Sequence, residues 1–78
     1  MAEAFNILSK GPGRIEIAHI AEGHVYKFHV GVQPNGVRVL STAYSLVSNP
    51  TAAHDGTYFI HDAVVFAEKE LRLAGELT

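Results

Sequence analysis

Apolar and polar residues alternate with a period of two in three stretches of the chain, at residues 14–20, 25–32 and 37–44. This period is typical of β-strands that bury one face and expose the other. Residues 4–10 are a weaker candidate strand, with Phe5 and Ile7 pointing inward. The pattern therefore predicts an antiparallel sheet of three or four strands.

Asn35-Gly36 is the clearest turn signal, because Asn and Gly tolerate the positive φ angles of a type I′ hairpin turn. With these two residues at the centre of the turn, Val32 faces Val39 and Val30 faces Ser41. A slip by two residues leaves every side chain on its face.

Glu22-Gly23 predicts the turn of a second hairpin, in which Ala21 faces His24. In that register Glu16 lies opposite His29, a favourable cross-strand pair. One face of the hairpin is then mostly apolar and the other mostly polar.

The two turns together predict an inner and an outer face of the sheet. The inner face collects Ile15, Ile17, His19, Tyr26, Phe28, Val30, Val32, Val37, Val39, Ser41 and Ala43. The outer face collects Arg14, Glu16, Ala18, Ile20, Val25, Lys27, His29, Arg38, Leu40, Thr42 and Tyr44.

From about residue 57 to residue 74 the apolar residues recur with a helical period. Thr57 or Asp55 can cap the start of this helix, and Gly75 suits its end. Asn49, followed by Pro50, predicts either a single helical turn or part of a long loop at residues 48–57. The chain is thus expected to be one domain, residues 1–78. Its fold class is α+β: two layers, with an antiparallel three- or four-stranded meander sheet covered on one face by one C-terminal helix (β-β-β-β-α).

The composition limits the class of protein. The chain has 78 residues and is 47% hydrophobic, which argues against disorder. It has no cysteine, so a disulfide scaffold and thiolate metal sites are excluded. No apolar run approaches the length of about 18 residues that spans a membrane, and no signal peptide is apparent. A cytoplasmic location is therefore expected.

The outer face of the sheet has no second helix to cover it. Its apolar residues predict an interface, with Ile20, Val25, Leu40 and Tyr44 as contacts. The expected partner is a second copy, forming a homodimer, or another protein. The alternative is a binder of single-stranded nucleic acid that uses the basic residues Arg14, Lys27 and Arg38. The net charge of −2 and the pI of 6.2 weigh against this alternative.

Histidines supply the other candidate chemistry. The predicted topology brings His19, His24, His54 and Asp55 to one end of the sheet. There they form a candidate site that would bind a small molecule or a metal ion, or carry out acid–base chemistry. None of the histidines has a known metal-ligand spacing, and no nucleophile motif is present. The sequence therefore predicts no catalytic residue, no cofactor and no defined metal site, and it weighs against an enzyme.

Overall fold

A single antiparallel sheet and one long helix make up the fold. The computed structural model describes residues 4–41 and 43–78. The strands are β1 (Phe5–Gly11), β2 (Arg14–His19), β3 (Val25–Val32), β4 (Arg38–Leu40) and β5 (Ser45–Val47). A 3₁₀ turn (Gly56–Phe59) leads into the helix α1 (Ile60–Leu73). The expected meander sheet followed by a C-terminal helix is confirmed.

The core lies between the inner face of the sheet and α1. The side chains that build it are Phe5, Ile15, Ile17, Tyr26, Phe28, Ala63, Ala67 and Leu71, all buried. The strand residues have the predicted period of two, and the helix residues are four apart. Small alanines at the centre of the helix stripe let α1 lie close to β2, the strand it contacts most.

The β2–β3 hairpin has a longer turn than the sequence predicts. His19 N donates to the carbonyl of His24, so residues 20–23 form a four-residue loop. Ile17 therefore lies opposite Tyr26, two residues away from the predicted register. A shift of two residues keeps each side chain on its face, so the predicted inner face of this hairpin is correct. The pair of Glu16 with His29 is wrong.

The β3–β4 hairpin differs from the prediction by one residue. Gln33 N donates to the carbonyl of Val37, which leaves a three-residue turn ending at Gly36, whose φ is +86°. Val30 therefore lies opposite Leu40 rather than Ser41. A shift of one residue exchanges the two faces of a strand. Leu40 consequently packs against the core.

The fourth predicted strand is interrupted. Ser41 N donates to the carbonyl of His29, whereas Ser45 lies opposite Lys27, so extra residues are accommodated between β4 and β5. Both short strands pair with β3, one after the other. Leu46 lies opposite Tyr26 and packs against the core. Thr42, predicted on the outer face, lies outside the described residues.

Both ends of the helical region are capped by the residues expected. The Asp55 side chain accepts a hydrogen bond from Thr57 N, although the α-helix itself begins only at Ile60, after the 3₁₀ turn. At the other end, Gly75 has a φ of +77° and Glu76 N donates to the carbonyl of Leu71, which is a Schellman motif. No helix in the described part of the chain is long and apolar enough to cross a membrane.

The loop before the 3₁₀ turn contains no helical turn. Asn49 Oδ1 accepts from Thr51 N, and Ala52 N donates to the carbonyl of Asn49. This arrangement is an Asx turn, which is the alternative use of a helix-capping asparagine. The Asn49 side chain also donates to the carbonyl of Glu22, so the loop is fixed to the β2–β3 turn.

Candidate functional site

The β1 edge of the sheet is open. Within residues 4–41 and 43–78, β1 pairs only with β2. The carbonyl of Ala4 accepts from Ile20 N, so Ala4 directs its backbone groups toward β2. Backbone groups alternate in direction along an antiparallel strand. Those of Phe5 and Ile7 therefore point away from the sheet, where they can pair with another strand.

Apolar side chains flank this open edge. Ile7 is exposed, and Leu8 is 52% exposed at a bulge in the register between β1 and β2. Val65, on the neighbouring face of α1, is 53% exposed. Proteins usually protect an edge strand with charge, proline or a covering element. Ile7 and Leu8 provide no such protection, because both are uncharged, apolar and exposed.

A groove runs between β1 and α1. It has a volume of about 260 Å³ and is lined by Ala4, Phe5, Asp62, Val65, Phe66 and Lys69. The rings of Phe5 and Phe66 lie 5.5 Å apart between their centroids and form its apolar floor. An edge strand beside such a groove offers both backbone hydrogen bonds and a pocket for side chains.

The opposite edge is covered by the end of the chain. Arg38 N, in β4, donates to Thr78 Oγ1 at 2.7 Å, and Thr78 N donates to the carbonyl of Arg38 at 3.0 Å. The Arg38 guanidinium also contacts Glu76, whose carboxylate accepts a second hydrogen bond from Gly13 N. The tail after α1 thus occupies the outward backbone groups of Arg38 in β4.

The predicted interface residues do not lie on one surface. Val25 lies opposite Val47 on the face that α1 does not cover, and Ile20 is exposed in the turn beyond it. Leu40 and Tyr44 lie on the other side of the sheet. They line a cavity of about 270 Å³ together with Phe28 and Val64 of the helix-facing layer. The one-residue shift in β4 therefore divides the predicted patch.

The predicted basic surface is also divided. Arg14 and Lys27 lie on the uncovered face, each within 3.7 Å of a Glu16 carboxylate oxygen. Arg38 lies on the helix side of the sheet, paired with Glu76 at 3.0 Å. All three cations have a carboxylate beside them, which reduces the positive potential available to a phosphate backbone.

The histidines do converge at one end of the sheet. His19 stacks on Phe59, with ring centroids 4.0 Å apart, and the ring of His24 lies 6.0 Å from the same phenylalanine. His24 is fully buried, and its Nδ1 accepts a hydrogen bond from Asn49 N. His54 lies at the rim of this group, stacked on Tyr58.

Glu22 is the centre of this histidine cluster. Its carboxylate accepts from His54 N at 3.0 Å and lies 2.8 Å from His54 Nδ1. The hydrogen bond with the His54 side chain lowers the pKa of the Glu22 carboxyl, against an opposing effect of partial burial. His24 Nε2 lies 3.4 Å from the same carboxylate and has no hydrogen-bond partner among the described residues.

Asp55, the fourth residue of the predicted ligand site, serves the 3₁₀ turn instead. Its carboxylate accepts from the backbone and the hydroxyl of Thr57, and these hydrogen bonds lower the pKa of Asp55. In residues 4–41 and 43–78, no three His, Cys, Asp or Glu side chains are arranged to hold a metal ion. The contacts of the cluster fix the loop at residues 48–55 to the β2–β3 turn.

The sequence did not single out the residues at the β1 edge. Leu8, Asp62, Val65 and Lys69 lie in the weaker candidate strand and on the predicted helix. A helical wheel places Asp62 and Lys69 on one face with Phe66, two helical turns apart, and this signal is available from the sequence. Their position beside an open strand requires the three-dimensional order of the sheet.

No known protein family, no curated protein and no solved structure matches this chain.

Proposed function

We propose that the chain is a non-catalytic interaction module that self-associates by pairing β1 with β1 of a second copy. The observation that carries the proposal is the contrast within the sheet: the β1 edge is open and apolar, while the tail covers β4. Among the described residues, β1 offers the longest open edge, since the tail covers β4 at Arg38 and β5 is only three residues long.

Antiparallel pairing of two identical edges gives a two-fold dimer. The outward backbone groups of Phe5 and Ile7 form hydrogen bonds with the same groups of the second copy, so the interface is self-complementary. Ile7 and Leu8 of both copies are then removed from water. Backbone pairing supplies the geometry, and burial of these side chains supplies most of the favourable free energy.

The uncovered face of the sheet supports the proposal less well. Ile20 and Val47 are exposed at one end of this face, beside the half-buried Val25, and the next row carries Glu16 opposite Lys27. Stacking two such faces would bury these charged groups, which costs free energy. Edge pairing leaves the charged row in water.

The experiment is light scattering on a sizing column, over a concentration series, with Ile7→Lys and the matched control Val47→Lys. Val47 is 59% exposed on β5, so both variants add one charge to an exposed apolar position on an edge strand. We expect wild type and Val47→Lys to be dimers. Ile7→Lys, present twice in each dimer, is expected to raise the dissociation constant roughly 30-fold, about 2 kcal/mol.

Two results contradict the proposal. A wild-type chain that stays monomeric up to millimolar concentration removes self-association altogether. A dimer that persists in Ile7→Lys but dissociates in Val47→Lys places the contact on the opposite side of the molecule. Circular dichroism of both variants confirms that each retains the fold.

A further inference from the structure

The face of α1 beside the β1 edge carries a second set of side chains, which lie outside the fully buried stripe of the helix. Asp62, Val65, Phe66 and Lys69 line the groove. Leu73, one turn further along, is 74% exposed on the same face. The core is contacted from a different stripe, built on Ala63, Ala67 and Leu71. The stripe that lines the groove is therefore only partly covered: Phe66 contacts Phe5 and packs against the core, whereas Val65 and Leu73 are exposed.

The order of charges on this stripe reverses about its own centre. Asp62 and Lys69 are two helical turns apart, about 10.5 Å along the axis, and therefore lie on the same face. Val65 and Phe66 lie midway between them. A two-fold axis through that midpoint reverses the helix and places Asp62 opposite Lys69 of a second copy, twice in each dimer.

We propose that α1 is the selectivity element of the dimer, and that it recognises a second copy through reciprocal Asp62–Lys69 ion pairs around Val65 and Phe66. This inference rests on the proposed pairing of β1, which brings both α1 helices to the same side of one continuous sheet. Within residues 4–41 and 43–78 neither Asp62 nor Lys69 forms an ion pair. Both charges are therefore free to act between chains.

The spacing of the sheet sets how the two helices meet. Adjacent strands lie about 4.8 Å apart, so a helix over β2 lies about 7 Å from a dyad at the β1 edge. The two helix axes are then about 14 Å apart, wider than the 8–10 Å of directly packed helices. Long or bulky side chains bridge such a gap, and Lys69 and Phe66 are of this kind. The contact selects its partner by charge rather than by close backbone packing.

The test exchanges the charges. Asp62→Lys creates two lysine–lysine contacts in the dimer, and Lys69→Asp creates two contacts between carboxylates. Each single variant is expected to weaken self-association about tenfold at low salt, where screening is smallest. The double variant, Asp62→Lys with Lys69→Asp, restores the wild-type dimer. An equimolar mixture of the two single variants forms a heterodimer, because each supplies the charges that the other needs.

The matched control for Asp62→Lys is Glu68→Lys, which makes the same change in net charge on the side of α1 that faces Leu40 and Tyr44. It is expected to dimerise as wild type does. If both single variants dimerise like wild type while Ile7→Lys does not, the helix inference is overturned and the pairing of β1 stands. If each single variant is monomeric and their equimolar mixture is also monomeric, the proposed reciprocal pairing is overturned. A wild-type monomer overturns both proposals.

Discussion

The β1 and β4 edges of the sheet differ in whether their outward backbone groups are covered. β4 is three residues long. Its Arg38 N–H donates to the Thr78 hydroxyl, and its Arg38 carbonyl accepts from Thr78 N. β1 is seven residues long, and Ile7 and Leu8 are exposed along it. The β4 edge is short and covered at Arg38, whereas the β1 edge is long and open and exposes two large apolar side chains.

The difference shows that two edges of the same sheet can differ in how far their backbone groups are covered. A sheet with two open edges can polymerise without limit, because each added copy leaves a new edge free. In the proposed dimer, the covered β4 and the short β5 leave β1 as the main pairing surface, and two identical surfaces close into a two-fold pair. On this proposal, the tail that follows α1 limits further pairing at the β4 edge.

Removal of residues 76–78 is the most severe way to break this contrast. The deletion exposes the backbone of β4 and removes Leu77, which packs against the core, together with the contacts of Glu76. We expect the free energy of unfolding to fall by about 2 kcal/mol. We also expect species larger than a dimer in light scattering, because both edges are then open.

The variant Thr78→Val is the matched control for this deletion. It removes only the hydroxyl that accepts from Arg38 N, and is expected to cost less than about 1 kcal/mol. An unchanged unfolding free energy after the deletion would show that the tail does not hold β4.

Tyr26→Phe separates the stability of the fold from the strength of the edge. The Tyr26 hydroxyl is buried and donates to the carbonyl of Gly56 at 2.6 Å, which fixes the 3₁₀ turn over β3. Its removal leaves that carbonyl without this partner, so urea unfolding should show a loss of about 1–2 kcal/mol. The ring that contacts Phe5 is retained.

The dimer dissociation constant of Tyr26→Phe should therefore stay within a factor of two or so of wild type. A parallel loss of dimer would mean that the 3₁₀ turn, and not the β1 edge, controls association.

Glu22→Gln is expected to have the smallest effect, and only in acid. The pKa of the folded Glu22 carboxyl lies below its ordinary value of 4.5 because of its hydrogen bond with His54. Such a group stabilises the fold above pH 4.5, and that contribution is lost as the pH falls through the lowered pKa. Wild type should therefore lose more unfolding free energy than Glu22→Gln between about pH 5 and pH 3.

Asp55, whose pKa is also lowered, stays in the Glu22→Gln variant, so some acid sensitivity remains. Equal acid slopes for the two proteins would show that Glu22 makes no net contribution. The dimer should respond equally in both proteins, since the Glu22 carboxylate contacts His24 and His54 rather than a residue of the groove.

The sequence predicted the layers of the fold but not the edges. Alternation placed Ile15, Ile17, Tyr26 and Phe28 in the core, because a two-residue error in the β2–β3 turn leaves the faces unchanged. The same logic failed at Leu40. In the β3–β4 hairpin the turn has three residues, including Pro34. The resulting shift of one residue exchanges the two faces of β4.

The candidate sites were harder to predict for a related reason. His19, His24 and His54 were correctly brought to one end of the sheet, since the topology alone decides that. Glu22 resembled an ordinary turn residue, and its role depends on where His54 lies, 32 residues later. The open edge at β1 follows from the order of the strands, and the covering of β4 follows from where the tail lies; no local pattern contains either.

The bond between Gly13 N and the Glu76 carboxylate joins residues 63 positions apart. Contacts of this sequence separation form late in folding, because a long loop must close before they are gained. Thr78 can reach Arg38 only once α1 has docked and the chain has turned at Gly75. Any intermediate that has the sheet but not the docked helix therefore exposes unpaired backbone groups at both β1 and β4. Refolding at high protein concentration should lose protein to aggregation through that state.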